Sequence, residues 1–284
     1  MAHRVSRYRS PVDAPRIDDP HGFFGPDSLS WQVHRETFVL FGGARALLMQ
    51  AAHPLVVAGA RATGFYERDP WRRLERTLRL TYAITFGTRA EALAAADRIN
   101  RVHETVHGID PVTGKAYDAL DPDLLLWVHA CLVDSALVFE ELLVGRLDPA
   151  ARQRFHEEQM LQAELLRLPR ERIPPTVPAL RAYIDDVVAR DLLVTDGARA
   201  VADLFRNPPP EADWRPALRV VARWAFGTLP VPLRRAYGAR WTPVHETAMR
   251  STMAVLRRTR GLFPPGVRLI EPARAAEQRT AAGI

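Results

Sequence analysis

The sequence contains very little cysteine and very little lysine. Cys131 is the single cysteine among 284 residues, which excludes an intramolecular disulfide and fits a reducing compartment. Lys115 is the single lysine, so the other 38 of the 39 basic residues are arginines. These arginines are interleaved with acidic residues, and no long run of like charge occurs. The net charge of +6 therefore does not indicate a nucleic-acid-binding arm.

The sequence also lacks the apolar segments that direct a chain to a membrane. Residues 1–20 are polar and contain no apolar core of a secretory signal. The longest apolar tract, 38–60, includes Arg45 and Pro54, and an arginine at mid-span costs about 2.5–3.5 kcal/mol in lipid. We therefore expect this tract to be buried inside a cytoplasmic protein that has no membrane span.

Alternating β-patterns and internal repeats are absent as well, whereas helical periods run through most of the chain. The predicted fold class is all-α, with a single multi-helical domain of about ten helices. We divide the chain into a flexible N-terminal arm (1–21), a main domain (22–274) and a C-terminal tail (275–284), with irregular structure after Pro264. Helices are predicted over residues 31–41, 45–52, 54 onward, 70–85, 88–108, 124–144, 149–168, 177–188, 197–206, 214–227, 230–237 and 242–259.

Capping residues indicate where several of these helices begin and end. Ser30 is predicted to cap the first helix, and Thr88 with Glu91 forms a capping box at the start of the fifth. Gly87 is predicted to end the helix before it in the left-handed conformation. Asp121, followed by proline, opens a helix so apolar on all sides that we expect it at the centre of the domain.

The predicted helix over 88–108 carries the strongest concentration of metal-ligating side chains. Asn100, His103 and His107 stand at i, i+3 and i+7, which places them on one helical face. An imidazole on such a face suits the axial position of a haem. Residues 103–107 also spell HExxH, the zinc-protease signature, although no third zinc ligand is obvious. The residues alone leave the haem ligand, the zinc site and an ordinary histidine open.

Two further groups carry possible chemistry. Arg73, Arg76 and Thr77 share one helical face, either as a solvated basic surface or as donors to a bound oxygen species. His129 lies on the most apolar helix, where a buried imidazole requires hydrogen-bond partners. It is either a core histidine or a residue that contacts a cofactor.

An ordered set of short motifs resembles a known family. The chain is similar to the latex-clearing rubber oxygenases and the fungal mycophenolic-acid oxygenase B from about residue 22 to at least residue 274. The motifs that carry this resemblance are Gly25-Pro26-Asp27-Ser28, Trp31 to Glu36, Gly42 to Pro54, Asp69-Pro70, Arg73 to Thr77, Phe86-Gly87, Val102-His103, Trp127 to Ala130, Asp134-Ser135, Leu229-Pro230, Tyr237-Gly238 and Trp241-Thr242.

The resemblance implies a haem b protein with a distantly globin-like core in the main domain, whose relatives cleave C=C bonds of polyisoprene with O2. It implies that His103 is the axial ligand of the haem iron and that His129 lies close to the cofactor. Arg73, Arg76 and Thr77 then line the distal face. Arg101 and His107 are expected to support the cofactor on the proximal side, including its propionates.

Two positions depart from the family. Arg76 stands where the rubber oxygenases have lysine, and a guanidinium stabilises negative charge but is a poor proton shuttle. His107 stands where relatives usually have arginine, so a single substitution explains the HExxH string without zinc.

The prediction is therefore a haem b-dependent oxygenase that uses O2 as co-substrate and acts on a small apolar or aromatic, alkene-bearing molecule. Rubber itself is not expected, because that polymer requires a secreted enzyme. A peroxidase-like enzyme, a haem sensor or carrier, and a zinc hydrolase are the alternatives. Nucleic acid is not an expected partner, and the chain is expected to be a monomer or a dimer.

Overall fold

The computed structural model describes residues 22–64, 70–207 and 215–282. The first half of the chain forms α1 (Leu29–His34), α2 (Thr37–Leu40), α3 (Gly42–Ala51), α4 (Pro54–Ala62), α5 (Pro70–Phe86), α6 (Arg89–His103), β1 (His107–Ile109), β2 (Ala116–Asp118) and α7 (Pro122–Leu143). The second half forms α8 (Pro149–Leu165), a 3-10 turn (Arg170–Arg172), α9 (Val177–Arg190), α10 (Asp196–Arg206), α11 (Arg215–Thr228), α12 (Val231–Ala236), α13 (Pro243–Thr259), a second 3-10 turn (Arg260–Leu262), α14 (Pro265–Arg268) and α15 (Glu271–Ala281). The predicted all-α, single-domain class is confirmed. The predicted N-terminal arm lies outside the described residues.

Local capping chemistry explains most helix starts. The predicted Thr88–Glu91 capping box is present at α6, and Asp121 caps α7 by accepting a hydrogen bond from the Asp123 N–H. The cap of α1 is Ser28, whose side chain accepts from the Trp31 N–H, so the prediction of Ser30 is wrong by half a turn.

The end of α5 shows a different use of glycine from the one predicted. Gly87 has no positive φ, so the predicted left-handed cap is wrong. A side chain at this position would collide with the Ala83 carbonyl oxygen, and Gly22 also packs closely against the Gly87 carbonyl. Gly87 is thus required by close backbone contact, which sequence periodicity does not reveal.

α7 is the central helix, as its composition predicted. It packs most extensively against α3 and also contacts α2, α8, α9 and α13. Among the described residues, α7 is a helix that is long and apolar enough to cross a bilayer. However, 72% of its most apolar stretch is buried inside the protein. The apolar tract 38–60 is not one straight helix. The segment Thr37–Ala51, which contains α2 and α3, meets α4 at a bend of 103°.

Two segments contain regular structure that the sequence analysis did not predict. The stretch predicted as a loop after residue 108 forms an antiparallel hairpin in which His107 pairs with Asp118 and Ile109 with Ala116. The tail is not irregular, since α15 runs across residue 274. Ala273 and Ala276 are fully buried against a cluster that includes Trp31.

A buried ion pair joins α7 to three other helices, α3, α9 and α11. Arg45 of α3, only 4% exposed, contacts Asp134 of α7 at 2.7 Å between Nη2 and Oδ2. Its other nitrogens donate to the Ser135 hydroxyl at 2.8 Å and to the Thr228 carbonyl at the end of α11 at 3.0 Å. Arg181 of α9 lies 3.5 Å from the second carboxylate oxygen of Asp134. All the nitrogens of the buried guanidinium therefore have partners.

We expect Arg45→Met to lower the free energy of unfolding by about 3 kcal/mol, because it leaves the Asp134 carboxylate poorly compensated in the interior. Urea denaturation at neutral pH measures the difference. Arg190→Met is the matched control, since Arg190 pairs with Asp186 on the surface and should cost less than about 1 kcal/mol. Equal losses in the two variants would contradict the central role of the buried pair.

Candidate functional site

The helical hairpin of α5 and α6 frames the candidate site. The short turn between the helices makes them antiparallel, and apolar residues from both pack together with Leu165 of α8. The N-terminal half of α5 therefore lies beside the C-terminal half of α6. This arrangement brings the α5 segment with Arg73, Arg76 and Thr77 to the same end of the hairpin as His103.

His103 is the last residue of α6 and is partly buried. Its Nδ1 atom is inaccessible to water and has no hydrogen-bond partner among the described residues. Burial lowers the pKa of His103 below its usual value, and the nearby Arg167 guanidinium lowers it further. The imidazole is consequently neutral at physiological pH, the state that binds a metal ion.

Two contacts with the end of α8 hold this part of α6 in place. The Asn100 side chain donates to the Leu165 carbonyl at 3.0 Å, and Arg167 pairs with Glu104 at 2.7 Å. Arg167 has a φ of 64°, the left-handed conformation that costs a non-glycine residue about 1 kcal/mol or more. These contacts fix the α6 terminus on both sides of His103.

His107 does not continue the helix. α6 ends at His103, and His107 lies exposed on β1, so the prediction of one helix reaching Gly108 is wrong. The chain instead forms the hairpin, in which Gly108 pairs with Tyr117 so closely that a Cβ on Gly108 would stand 2.8 Å from the Tyr117 hydroxyl oxygen. The two histidines of HExxH therefore do not share a helical face. The described residues contain no group of three His, Cys, Asp or Glu side chains arranged for a metal ion.

The other predicted residues on α5 and α6 are more accessible. Arg101 is exposed and pairs with Asp97 one turn earlier. Arg73 donates to the Ala60 carbonyl of α4 at 3.2 Å, which ties α5 to α4. Arg76 is partly exposed and Thr77 is exposed. The proposed capping residue Asp69, just before α5, lies outside the described residues.

His129 is buried in α7, as the sequence predicted, but its hydrogen bonding is incomplete. It is 9% exposed, and its Nε2 atom is buried with no hydrogen-bond partner in the described part of the chain. Burial lowers the pKa of His129 to about 3, with a smaller contribution from His156. The sequence analysis predicted hydrogen-bond partners for this ring, and its Nε2 atom is left open to a hydrogen bond with water or a bound group.

Further buried polar side chains lie on α8 and on the helix that faces it, and the sequence reasoning assigned them no role. His34 of α1 packs against Phe155 with ring centroids 5.6 Å apart, and burial lowers its pKa to about 4. His156 Nε2 donates to the Pro174 carbonyl at 2.7 Å. Gln159 donates to the Ser30 hydroxyl. The polar residues in α8 recur three residues apart (His156, Gln159 and Gln162), a signal available in the sequence.

Several atoms of these side chains are buried without hydrogen-bond partners. They are His34 Nε2, Asn100 Oδ1, His103 Nδ1, His129 Nε2, His156 Nδ1 and Gln162 Oε1. Native proteins pair most of their buried polar groups, so each of these atoms is a place where water or a bound group can form a hydrogen bond.

Comparison with known proteins assigns the chain to a family. Residues 31–258 match the family described as ER-bound oxygenase mpaB/B'/rubber oxygenase, catalytic domain. The chain belongs to this family. The predicted resemblance is thus confirmed, and membership supports an oxygenase-type function.

Similar proteins include one from Mycobacterium bovis and one from Mycobacterium tuberculosis, both described as uncharacterized. Each is 29% identical over 201 residues, covering 69% of this chain and 70% of the relative. No solved structure matches the chain. The predicted likeness of the core to globins stays a prediction.

We expect the free energy of unfolding of the cofactor-free protein to fall as the pH drops below about 6.5, where an unfolded histidine gains a proton. His129 stays neutral in the folded protein down to about pH 3, so protons favour the unfolded chain across that interval. His129→Gln should reduce the dependence by up to about 1.4 kcal/mol per pH unit. Urea unfolding at pH 7 and pH 5 measures this difference, with exposed His107→Gln as the control. If the free energy of unfolding changed with pH equally in wild type and His129→Gln, the neutral state of buried His129 would be refuted.

Proposed function

We propose that this protein is a haem b-dependent oxygenase that uses O2 to oxidise a small apolar or aromatic molecule containing a C=C bond. The oxygenase class is supported by family membership, whereas the haem and the substrate are our inference. The observation that carries the haem proposal is the pair of buried, unpartnered imidazole nitrogens on His103 and His129.

The residues present fit a haem. His103 is neutral, is held by the contacts of Asn100 and Glu104 with α8, and carries an unpartnered ring nitrogen. It is therefore the residue we assign to the iron. His129 supplies a second neutral ring in an apolar helix, suited to contact with the cofactor edge. Arg101 and His107 are the residues we assign to the propionates, and Arg101 must exchange its Asp97 contact to serve there.

When bound, haem iron would bind O2 and donate to it the electron density that activates it for oxidation of the alkene. Arg76 contributes a positive charge that would stabilise negative charge on oxygen. The Thr77 hydroxyl both donates and accepts a hydrogen bond, so it can hold a proton close to the oxygen. Arg73 is held by the Ala60 carbonyl, which positions the N-terminal turn of α5 relative to α4.

The apolar residues around the hairpin favour an apolar substrate. The cluster between α5, α6 and α8 includes Leu80, Ile84, Ile99, Leu161 and Leu165. These side chains are packed core, so they exclude water from the hairpin and present no polar group that would recognise a polar substrate.

Removing the imidazole at position 103 tests the haem proposal. We expect wild-type protein expressed with ample haem to show a Soret band and His103→Ala to lose most of it, because the axial bond is removed. The absorption spectrum and the haem content per chain measure this. His245→Ala, which removes a histidine outside the candidate site, should keep the band. Colourless wild-type protein with stoichiometric zinc would overturn the proposal.

Substitutions at Arg76 test the oxygenase step. We expect Arg76→Ala to lower oxygen consumption with a panel of aromatic alkenes by about tenfold or more, because a charge that stabilises reduced oxygen is lost. Arg76→Lys restores the residue expected from the family and should retain activity. Haem content, measured in parallel, should stay unchanged. Loss of haem in Arg76→Ala would instead assign Arg76 to cofactor retention.

A further inference from the structure

A surface groove of about 580 Å³ lies between α10, α11 and the segment joining α12 to α13. None of its residues belongs to the candidate site described above. We call it the arginine groove, and its lining residues are Phe205, Arg206, Arg219, Ala222, Arg223, Phe226, Tyr237, Gly238, Ala239, Arg240, Trp241 and His245.

Three arginines of this groove form no ion pair with any described residue. Arg219 and Arg223 stand one turn apart on α11, and Arg240 follows α12. All three are exposed, and within the described ranges none of them forms a hydrogen bond or an ion pair. Several exposed arginines elsewhere pair with a carboxylate on their own helix, as Arg190 does with Asp186. No carboxylate side chain lines the groove among the described residues, and the neighbouring carboxylates of Asp203 and Glu246 contact Arg206 and Trp241.

The fourth arginine is already engaged and helps to form the wall. Arg206 donates to the Tyr237 carbonyl at 3.1 Å and lies 3.8 Å from Asp203. Its guanidinium stacks 4.4 Å from the centroid of the Phe226 ring. It is therefore a rigid part of the groove.

Aromatic rings form the rest of the wall. Phe226 and Tyr237 pack edge to face at 5.9 Å, and Trp241 donates its indole N–H to Glu246 at 2.9 Å. Gly227 allows Trp241 to approach α11, because a Cβ at that position would collide with the indole ring. A fixed indole next to unpaired arginines is suited to stacking on a flat, negatively charged ligand.

We propose that the arginine groove binds a phosphorylated aromatic compound of about the size of a mononucleotide, since its volume falls in the range of small-molecule sites. A guanidinium group can donate two parallel hydrogen bonds to phosphate oxygens. Three arginines without ion-pair partners among the described residues favour a phosphate over a carboxylate, which carries only one negative charge. The aromatic wall provides contact for the ring. This proposal is independent of the haem assignment.

Binding of ADP and FMN to the full-length protein, by isothermal titration calorimetry at about 0.15 M salt, tests the proposal. We expect both compounds to bind at least about tenfold more tightly than inorganic phosphate, adenosine or riboflavin, because only they engage both the arginines and the rings. FMN fluorescence should be quenched on binding, as a stacked flavin is.

Variants then locate the site. The double variant Arg219→Gln/Arg223→Gln should weaken ADP binding at least about tenfold, because two charge-assisted contacts are lost. The control Arg190→Gln/Arg199→Gln removes two other exposed arginines with the same change in net charge and should leave binding unchanged. Trp241→Leu should remove the advantage of ADP over phosphate, with circular dichroism verifying the fold.

Four outcomes would overturn the proposal. They are no binding of any probe at about 1 mM, equal affinity for phosphate and ADP, equal weakening in the control double variant, and a single-stranded oligonucleotide that binds more than about tenfold more tightly than ADP. The last result would assign the groove to nucleic acid.

Discussion

The ion pair between Arg45 and Asp134 is the interaction on which the arrangement of the helices depends. It lies where α3, α7, α9 and α11 meet, and its guanidinium donates to groups on two of the other helices. A hydrophobic contact tolerates a small slide of one helix along another, whereas a buried charge with several directional partners does not. His129 stands five residues before Asp134 on α7. The ion pair that fixes α7 relative to the other helices therefore also fixes the position of His129.

The candidate site is attached to this frame by the end of α8. Asn100 and Glu104 flank His103, and both contact the segment just after or at the end of α8. α8 in turn packs against α1 and α7. His103, His129 and His34 therefore lie on three different helices whose relative positions are set by shared contacts with one helix. The pKa of all three rings is lowered mainly by burial, with further lowering by Arg167 at His103 and by His156 at His129.

Local signals in the sequence predicted most of the helices, because caps and prolines act within a single turn. Asp121 before a proline and the Thr88–Glu91 box marked true helix starts. Signals that depend on distant residues were missed. Gly108 looked like the end of a helix, but it lies in a strand, where the Tyr117 side chain packs so closely that a side chain at position 108 would collide with it. α15 looked polar, and its two buried alanines are visible only when Trp31 lies beside them. His103 and His129 were identified in the sequence as imidazoles among apolar residues. That each has a buried nitrogen without a hydrogen-bond partner can be seen only in the structure.

The last helix gives the folded unit a boundary different from the one that family similarity marks. The family match ends at residue 258, yet α15 covers Trp31 and Phe86, and Arg279 donates to the Phe86 carbonyl at the turn between α5 and α6. Glu277 also reaches back to Arg35. A chain cut at residue 258 would leave an apolar face open at the closed end of the helical hairpin that carries His103. The packed core therefore extends to the C-terminal helix, and the hairpin contacts α8 at one end and α15 at the other.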